Sequence, residues 1–290
     1  MRSQLFVPGD SEKKCAKGLD SGADCLFIDL EDSVALAQKA HARRMACDFL
    51  AHARARQERP LLYVRVNALD TGLTDDDLDV VMPGRPDGVL LPKSQSGVDV
   101  QHLAAKLAVR EAENDIPNGS TKIVCVATET ASAIFGLSTY RGASRRLAGL
   151  TWGAEDLSAD IGAETNRLPD GGLTEPYRLA RQLALFAAVS AGVQPIDTVY
   201  PNFRDEAGFR AECAAARRDG FTGKMAIHPA QVPVINDIFT PPDAEIARAR
   251  RIVQAFADNP AAGVIGLDGE MLDKPHLARA QKLLARVKGA

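Results

Sequence analysis

Eight short apolar runs, separated by stretches with helical periodicity, predict a closed (β/α)8 (TIM) barrel carrying a C-terminal helical extension. Most runs are apolar on both faces instead of alternating, as parallel strands are when helices cover the sheet. Eight βα repeats match a closed barrel better than an open doubly wound sheet. At 290 residues the chain exceeds an average domain, yet α/β barrels of this length form a single unit.

In order, the strand-like runs are 3–8, 25–30, 61–66, 88–92, 122–127, 149–152, 196–200 and 223–227. Helical periodicity falls between them, most clearly over 35–56, 98–114, 177–191 and 205–219. Asp10-Ser11-Glu12 reads as the cap of the first helix, with Gly18 and Gly22 bracketing its exit. Thr174-Glu175-Pro176 opens a long helix with proline in its first turn. These elements place the barrel in residues 1–239. In the remainder, 240–290, Thr240-Pro241-Pro242-Asp243 starts a charged helix over 244–257, and Asp258-Asn259-Pro260 stops it. Residues 263–272 read as a short extended or turn segment, and 275–287 as a final amphipathic helix. A barrel needs no such tail for closure, so the extension reads as a lid or an oligomerisation arm.

Composition narrows the partners. A formal charge of −3 and the lack of a dominant basic stretch argue against nucleic acid. No apolar run approaches the ~20 residues that span a bilayer, so no membrane partner is expected. The first strand begins almost at Met1 and leaves no room for a targeting peptide. Cys15, Cys25, Cys47, Cys125 and Cys213 form no CxxC or metal-ligand spacing; an odd, scattered set reads as reduced thiols, and a cytoplasmic location is expected.

In such a barrel the active site lies at the carboxyl ends of the strands. There the sequence places Asp29-Leu30-Glu31-Asp32, Arg65, Asn67, Lys93, Glu129, Glu155-Asp156, Asn202, Arg204 and His228. Glu129 and Asp156 end neighbouring strands, so their carboxylates come close, and two uncompensated acids call for a cation between them. A hard ion with oxygen ligands suits them, Mg²⁺ best, because it takes few carboxylates and leaves room for water and substrate. The plainer alternative for each acid is a helix N-cap. Glu31 and Asp32 could hold the ion's waters or simply complement a helix dipole. Arg65, inside an apolar run, must be paired or reach a mouth. It reads either as an electrophile for a developing oxyanion or as one half of a structural ion pair. Ala154 and Glu155, at a helix start, offer N–H groups that could hold an anion. Lys14 and Arg2, among the basic residues around the first strand, could meet phosphates, and His228 before Pro229 reads as a loop brace or a ligand contact.

The motifs Arg2-Ser3-x-Leu5-Phe6-Val7-Pro8-Gly9, Asp29-Leu30-Glu31-Asp32-Ser33-Val34, Val64-Arg65-Val66-Asn67, Leu91-Pro92-Lys93, Glu129-Thr130-Ala131, Trp152-Gly153-Ala154-Glu155-Asp156 and Gly223-Lys224-x-x-Ile227-His228-Pro229 occur in that order. Together they closely resemble the citrate lyase β-chain-like branch of the HpcH/HpaI aldolase superfamily, which includes malyl-CoA and citramalyl-CoA lyases. The resemblance runs from Arg2 to about Ala280. It implies a (β/α)8 barrel, usually a homotrimer or a hexamer, that cleaves a 3-hydroxyacyl-CoA by a Mg²⁺-dependent retro-Claisen step. It further implies that Glu129 and Asp156 are the metal ligands and that Arg65 polarises the thioester carbonyl. Gly269-Glu270-Met271-Leu272-Asp273-Lys274-Pro275 resembles a lid motif whose aspartate, here Asp273, reaches a neighbouring protomer's site. As plain sequence, Asp273-Lys274-Pro275 reads equally well as a helix cap. Glu270 departs from the small or uncharged residue expected in that motif. Two rivals within the same branch are a malyl-CoA thioesterase and the β subunit of a multi-chain citrate lyase; a non-catalytic binding protein on a barrel scaffold is the rival from another class.

Overall fold

The computed structural model describes residues 1–287, so the last three positions of the predicted extension, 288–290, lie outside the described residues. The chain divides into two compact units, Met1–Asp237 and the stretch from Ile238 onward. The first is a closed barrel of eight parallel strands in sequence order. These are β1 Ser3–Pro8, β2 Cys25–Asp29, β3 Leu61–Arg65, β4 Gly88–Leu91, β5 Lys122–Val126, β6 Leu147–Thr151, β7 Gln194–Asp197 and β8 Gly223–Ala226. The eight runs read from the sequence are these strands, although most end a residue earlier than read, β7 three residues earlier, and two start two residues sooner. β6 starts at Leu147, where Leu147 pairs with Ile123 before the register shifts to Val124 and Gly149. β7 starts at Gln194 and contains Pro195, which has no N–H for the ladder and hides the strand's beginning.

Alternate residues of the strands fill the barrel. Cys25, Phe27, Tyr63, Leu90, Val124, Val126, Ile196 and Met225 form one buried cluster. Tyr63 lies beside Gly88 on the next strand, and a side chain at 88 would run into its ring at 2.2 Å. The floor is closed by Met1, whose carbonyl accepts hydrogen bonds from the Gln4 and Gln194 side chains at 2.9 and 2.6 Å. With its interior packed, a barrel of this kind binds ligands at the mouth formed by the carboxyl ends of the strands.

Charged braces hold the wall that carries the two acids. Glu111, at the end of the helix Gly97–Glu113, accepts both arms of the Arg146 guanidinium at 2.6 and 2.7 Å. It also accepts the N–H groups of Gly119 and Thr121. Burial works to raise this carboxyl, but Arg146 and the two amides pull it down to about 2. The pair ties that helix to the entries of β5 and β6. On the other side, fully buried Lys224 of β8 sits 3.0 Å from Asp197 of β7 and 2.8 Å from Glu212. Asp197 in turn accepts the Trp152 indole N–H at 2.7 Å, just beyond β6. Buried charges this deep are tolerable because each has a partner.

The second unit comprises the helix Asp243–Asp258, the hairpin β9 Val264–Leu267 and β10 Glu270–Asp273, and the helix Lys274–Val287. Ala249, Ile252, Phe256, Ile265, Leu272 and Ala280 pack together as its core. The segment expected to be merely extended or turn is thus a two-stranded hairpin. Its two-residue loop, Asp268-Gly269, holds both residues at positive φ, 53° and 80°, the backbone that matches strand twist and that an Asp-Gly pair supplies. Among the described residues no helix is long and apolar enough to cross a membrane.

Candidate active site

Asp29, the last residue of β2, faces Arg65, the last residue of β3, in the strand register. The Arg65 guanidinium grips Asp29 with Nε and Nη2, both at 2.7 Å, and its Nη1 lies 2.9 Å from Glu31. Asp29 also accepts the N–H groups of Glu31 and Ser33, which curls the chain after β2 back over the mouth. Burial works to raise Asp29, but the Arg65 fork outweighs it and holds the carboxyl below its usual value. Arg65 rests at 4.9 Å over the Phe6 ring. The ion-pair reading of Arg65 is thus what the geometry shows: Nε and Nη2 hold Asp29, and Nη1 faces Glu31.

Glu129 follows β5 and Asp156 follows β6, as expected. Glu129 is 5% exposed and accepts the backbone N–H of Lys93. Burial, with Asp156 and Glu31 nearby, pushes its carboxyl up to about 8, against the opposing Lys93 amide. A glycine at 153 is required here, because a Cβ would lie 2.8 Å from Glu129 Cγ. Gly153 donates its N–H to Thr128 Oγ1, pinning the two post-strand turns together. Asp156 is one-third exposed and stands in the first turn of the short helix Glu155–Ile161, with Ala154 at its cap. Glu155 turns aside to accept from Asn166 at 2.9 Å.

Lys93 ties the two sides of the mouth together. Its ammonium is 2.7 Å from Glu31, 3.5 Å from Asp156 and 3.8 Å from Asp32. Burial works to lower this lysine, but Glu31 above all holds it above its usual value. The mouth thus gathers Asp29, Glu31, Asp32, Glu129 and Asp156 around Arg65 and Lys93. Glu31 and Asp32, expected to hold an ion's waters, contact these two cations directly. Asn67 is not part of this gathering; it is buried and bonded to Asp77 and the Leu30 carbonyl.

Other sequence-derived candidates fall elsewhere. Arg2 precedes β1 and clasps Asp24, which precedes β2, with Nη2 to Oδ1 at 2.7 Å. It stands at the amino end of the barrel, a six-residue strand or about 20 Å from the mouth, and so is withdrawn as a CoA contact. Its place before the strand instead of after it was the signal. Lys14 is exposed on the helix Glu12–Leu19 after β1, on the mouth side. His228, after β8, stacks on Phe203 with centroids 4.5 Å apart, and its Nδ1 accepts the Ala230 N–H; Arg204 lies over the other partner of that stack at 4.9 Å. Asp273 belongs to the second unit. It ends β10 directly before the last helix, with Oδ1 2.6 Å from His276 Nδ1.

The donors at the mouth fit a hard divalent ion. They are all oxygens, and one, Glu129, is a nearly buried carboxyl whose proton affinity burial raises. Among the described residues no trio of His, Cys, Asp or Glu forms a self-contained metal cage. Mg²⁺ takes few protein carboxylates and fills its other positions with water and substrate oxygens.

Comparison with known proteins follows this geometry. The family model described as HpcH/HpaI aldolase/citrate lyase matches residues 2–229, and one described as a C–C bond lyase of the TIM-barrel fold matches 177–289. The citrate lyase subunit beta of Escherichia coli K12 is 38% identical over 99% of this chain and 93% of its own. A (3S)-malyl-CoA thioesterase of Cereibacter sphaeroides is 36% identical over 99% and 94%. The crystal structure of CitE from Mycobacterium tuberculosis, in complex with magnesium, acetoacetate and coenzyme A, superposes with a TM-score of 0.76 at 31% identity, covering 98% of this chain and 97% of that one. The chain therefore belongs to the HpcH/HpaI aldolase/citrate lyase family, as an enzyme of the carbon–carbon lyase type.

Proposed function

We propose that this protein is a Mg²⁺-dependent lyase that cleaves a short 3-hydroxyacyl-CoA, of the citramalyl-CoA or malyl-CoA kind, into acetyl-CoA and a 2-oxo acid, pyruvate or glyoxylate. The observation that carries the reading is the gathering, at one barrel mouth, of the Glu129 and Asp156 carboxylates with the Arg65 guanidinium, whose Nη1 a substrate oxygen would share with Glu31. A thioester with a hydroxy acid attached has two ends of matching character. Its carboxylate and hydroxyl suit a cation held by Glu129 and Asp156; its thioester oxygen suits a guanidinium. The relationship to proteins named for citrate and malyl-CoA chemistry supports the same substrate class.

The ion, when bound by Glu129 and Asp156, supplies charge that orients the hydroxy-acid half and stabilises negative oxygen there. As the carbon–carbon bond breaks, its electron pair passes to the carbon next to the thioester carbonyl and on to that carbonyl's oxygen, forming the acetyl-CoA enolate, while the hydroxyl gives its proton to water at the mouth and becomes the keto oxygen. Arg65 stabilises the enolate oxygen, an effect of about 3 kcal/mol for one well-placed donor. The N–H groups at Ala154 and Glu155 are proposed to hold the substrate carboxylate. Asp273, supplied by a neighbouring copy in a homotrimer or hexamer, is proposed to protonate the enolate carbon. Lys14 and His228 remain proposed contacts for the CoA moiety.

Two other readings share the site. A malyl-CoA thioesterase would release free CoA, and a citrate lyase β subunit would act on an acyl group carried by a partner chain. Incubation with (3S)-citramalyl-CoA and with malyl-CoA in the presence of Mg²⁺, followed by product identification, separates the three. Acetyl-CoA with pyruvate or glyoxylate is the expected result. Free CoA with the intact hydroxy acid would favour the thioesterase, and turnover only on addition of an acyl-carrier chain would favour the subunit.

A further inference from the structure

We propose that the Lys93 ammonium is a displaceable counter-ion of the mouth carboxylates: it holds Asp156 before a divalent cation binds and yields it when the cation arrives. The inference rests on the reading of Glu129 and Asp156 as cation ligands.

Lys93 directly follows Leu91-Pro92 at the end of β4 and has φ +52°. A lysine in the left-handed region is strained by about 1 kcal/mol or more and persists only where its surroundings fix it. Its neighbours do so: Ser94 N–H bonds the Val126 carbonyl, and Gln95 N–H bonds Asp99. This conformation aims the residue's two donor groups at different acids. The backbone N–H meets Glu129, and the side chain crosses the mouth to Glu31 and Asp156.

The two donors differ in what an incoming cation does to them. The amide carries no net charge, so it can stay on Glu129. The ammonium carries a full charge and would stand beside the ion. Its contact with Glu31 is a hydrogen bond at 2.7 Å, whereas Asp156 is 3.5 Å away, and Asp32 lies at 3.8 Å on the Glu31 side. Asp156 is therefore the partner it gives up, and Glu31 the one it keeps. Five carboxylates face two cations here, so a divalent ion offsets most of the remaining negative charge without reversing it. Until then Lys93 keeps the acids from repelling one another, and its charge sets the affinity for a free ion below what the bare carboxylates would give.

This role has a sign that a structural role lacks. Calorimetric titration of the full chain with MgCl₂ is expected to show K93M binding Mg²⁺ about tenfold more tightly than wild type, the scale of one like charge removed nearby. K93R, which keeps the charge, is expected to stay near wild type. K93G, whose glycine adopts φ +52° freely, is expected to tighten binding as K93M does and serves if methionine is not tolerated there. Unchanged or weaker Mg²⁺ binding in both uncharged variants, while wild type binds and E129Q does not, would overturn the role of Lys93 alone. Absence of Mg²⁺ binding by wild type, or binding unaffected by E129Q, would overturn the cation site on which the inference stands.

Discussion

Glu129→Gln is expected to lower turnover below about a thousandth of wild type while leaving the metal-free protein at least as stable. The substitution removes one of two proposed ligands and nothing else of comparable size, since an amide oxygen can still accept the Lys93 N–H. The stability side follows from the carboxyl's value of about 8, set first by burial and then by Asp156 and Glu31. The folded chain holds a proton that the unfolded chain gives up, whose ordinary value is near 4.5. Stability therefore falls as pH rises from about 4.5 towards about 8, and below that window both states keep the proton and the cost vanishes. In the glutamine variant that slope is absent. Thermal melts of both proteins in EDTA across pH 4.5 to 8 check this; parallel courses, or a variant much less stable at pH 8, would contradict it.

Arg65→Lys is expected to reduce kcat by about 10²- to 10³-fold, the loss seen when one oxyanion donor is removed. Lysine keeps the charge beside Asp29 but loses the planar fork that grips Asp29 on one edge and presents Nη1 to Glu31 on the other. Because Asp29 retains a cationic partner, the barrel is expected to stay folded, and the defect falls on kcat more than on KM. Steady-state rates with the proposed thioester, measured well below the variant's melting temperature, test it. A variant with wild-type kcat would remove Arg65 from the chemistry and leave it as the Asp29 brace alone.

The barrel was legible in the sequence because strands buried on both faces read as unbroken apolar runs, Cys25–Asp29 and Lys122–Val126 being the clearest. What the sequence hid were ends decided by pairing. Leu147 joins β6 only through its irregular register with Ile123, and Pro195 disguises the start of β7. The hairpin Val264–Asp273 was legible in principle, since Asp268-Gly269 between apolar residues is a strong turn signal.

The site was legible as a set of strand-end acids, because position after a strand fixes which end of the barrel a residue occupies. The same rule, applied to Arg2, places it at the opposite end. An ion pair of Arg65 with an acid of the second strand was one of the readings the sequence offered, but that Asp29 takes two of its donors and Glu31 the third depends on which side each strand turns to its neighbour. The importance of Lys93 depends on a left-handed backbone that no lysine advertises. Neither is written in residue type.

The claim on which the rest depends is that the carboxylates beyond β5 and β6 share a divalent ion. Crystals of the protein grown with Mn²⁺, an ion that accepts the same oxygen donors, would locate it by anomalous scattering. A single strong peak within coordination distance of both Glu129 and Asp156, lost in the Glu129→Gln variant, is the result predicted. A mouth without a peak at Mn²⁺ concentrations that saturate binding in solution, or a peak held by other residues, would contradict it.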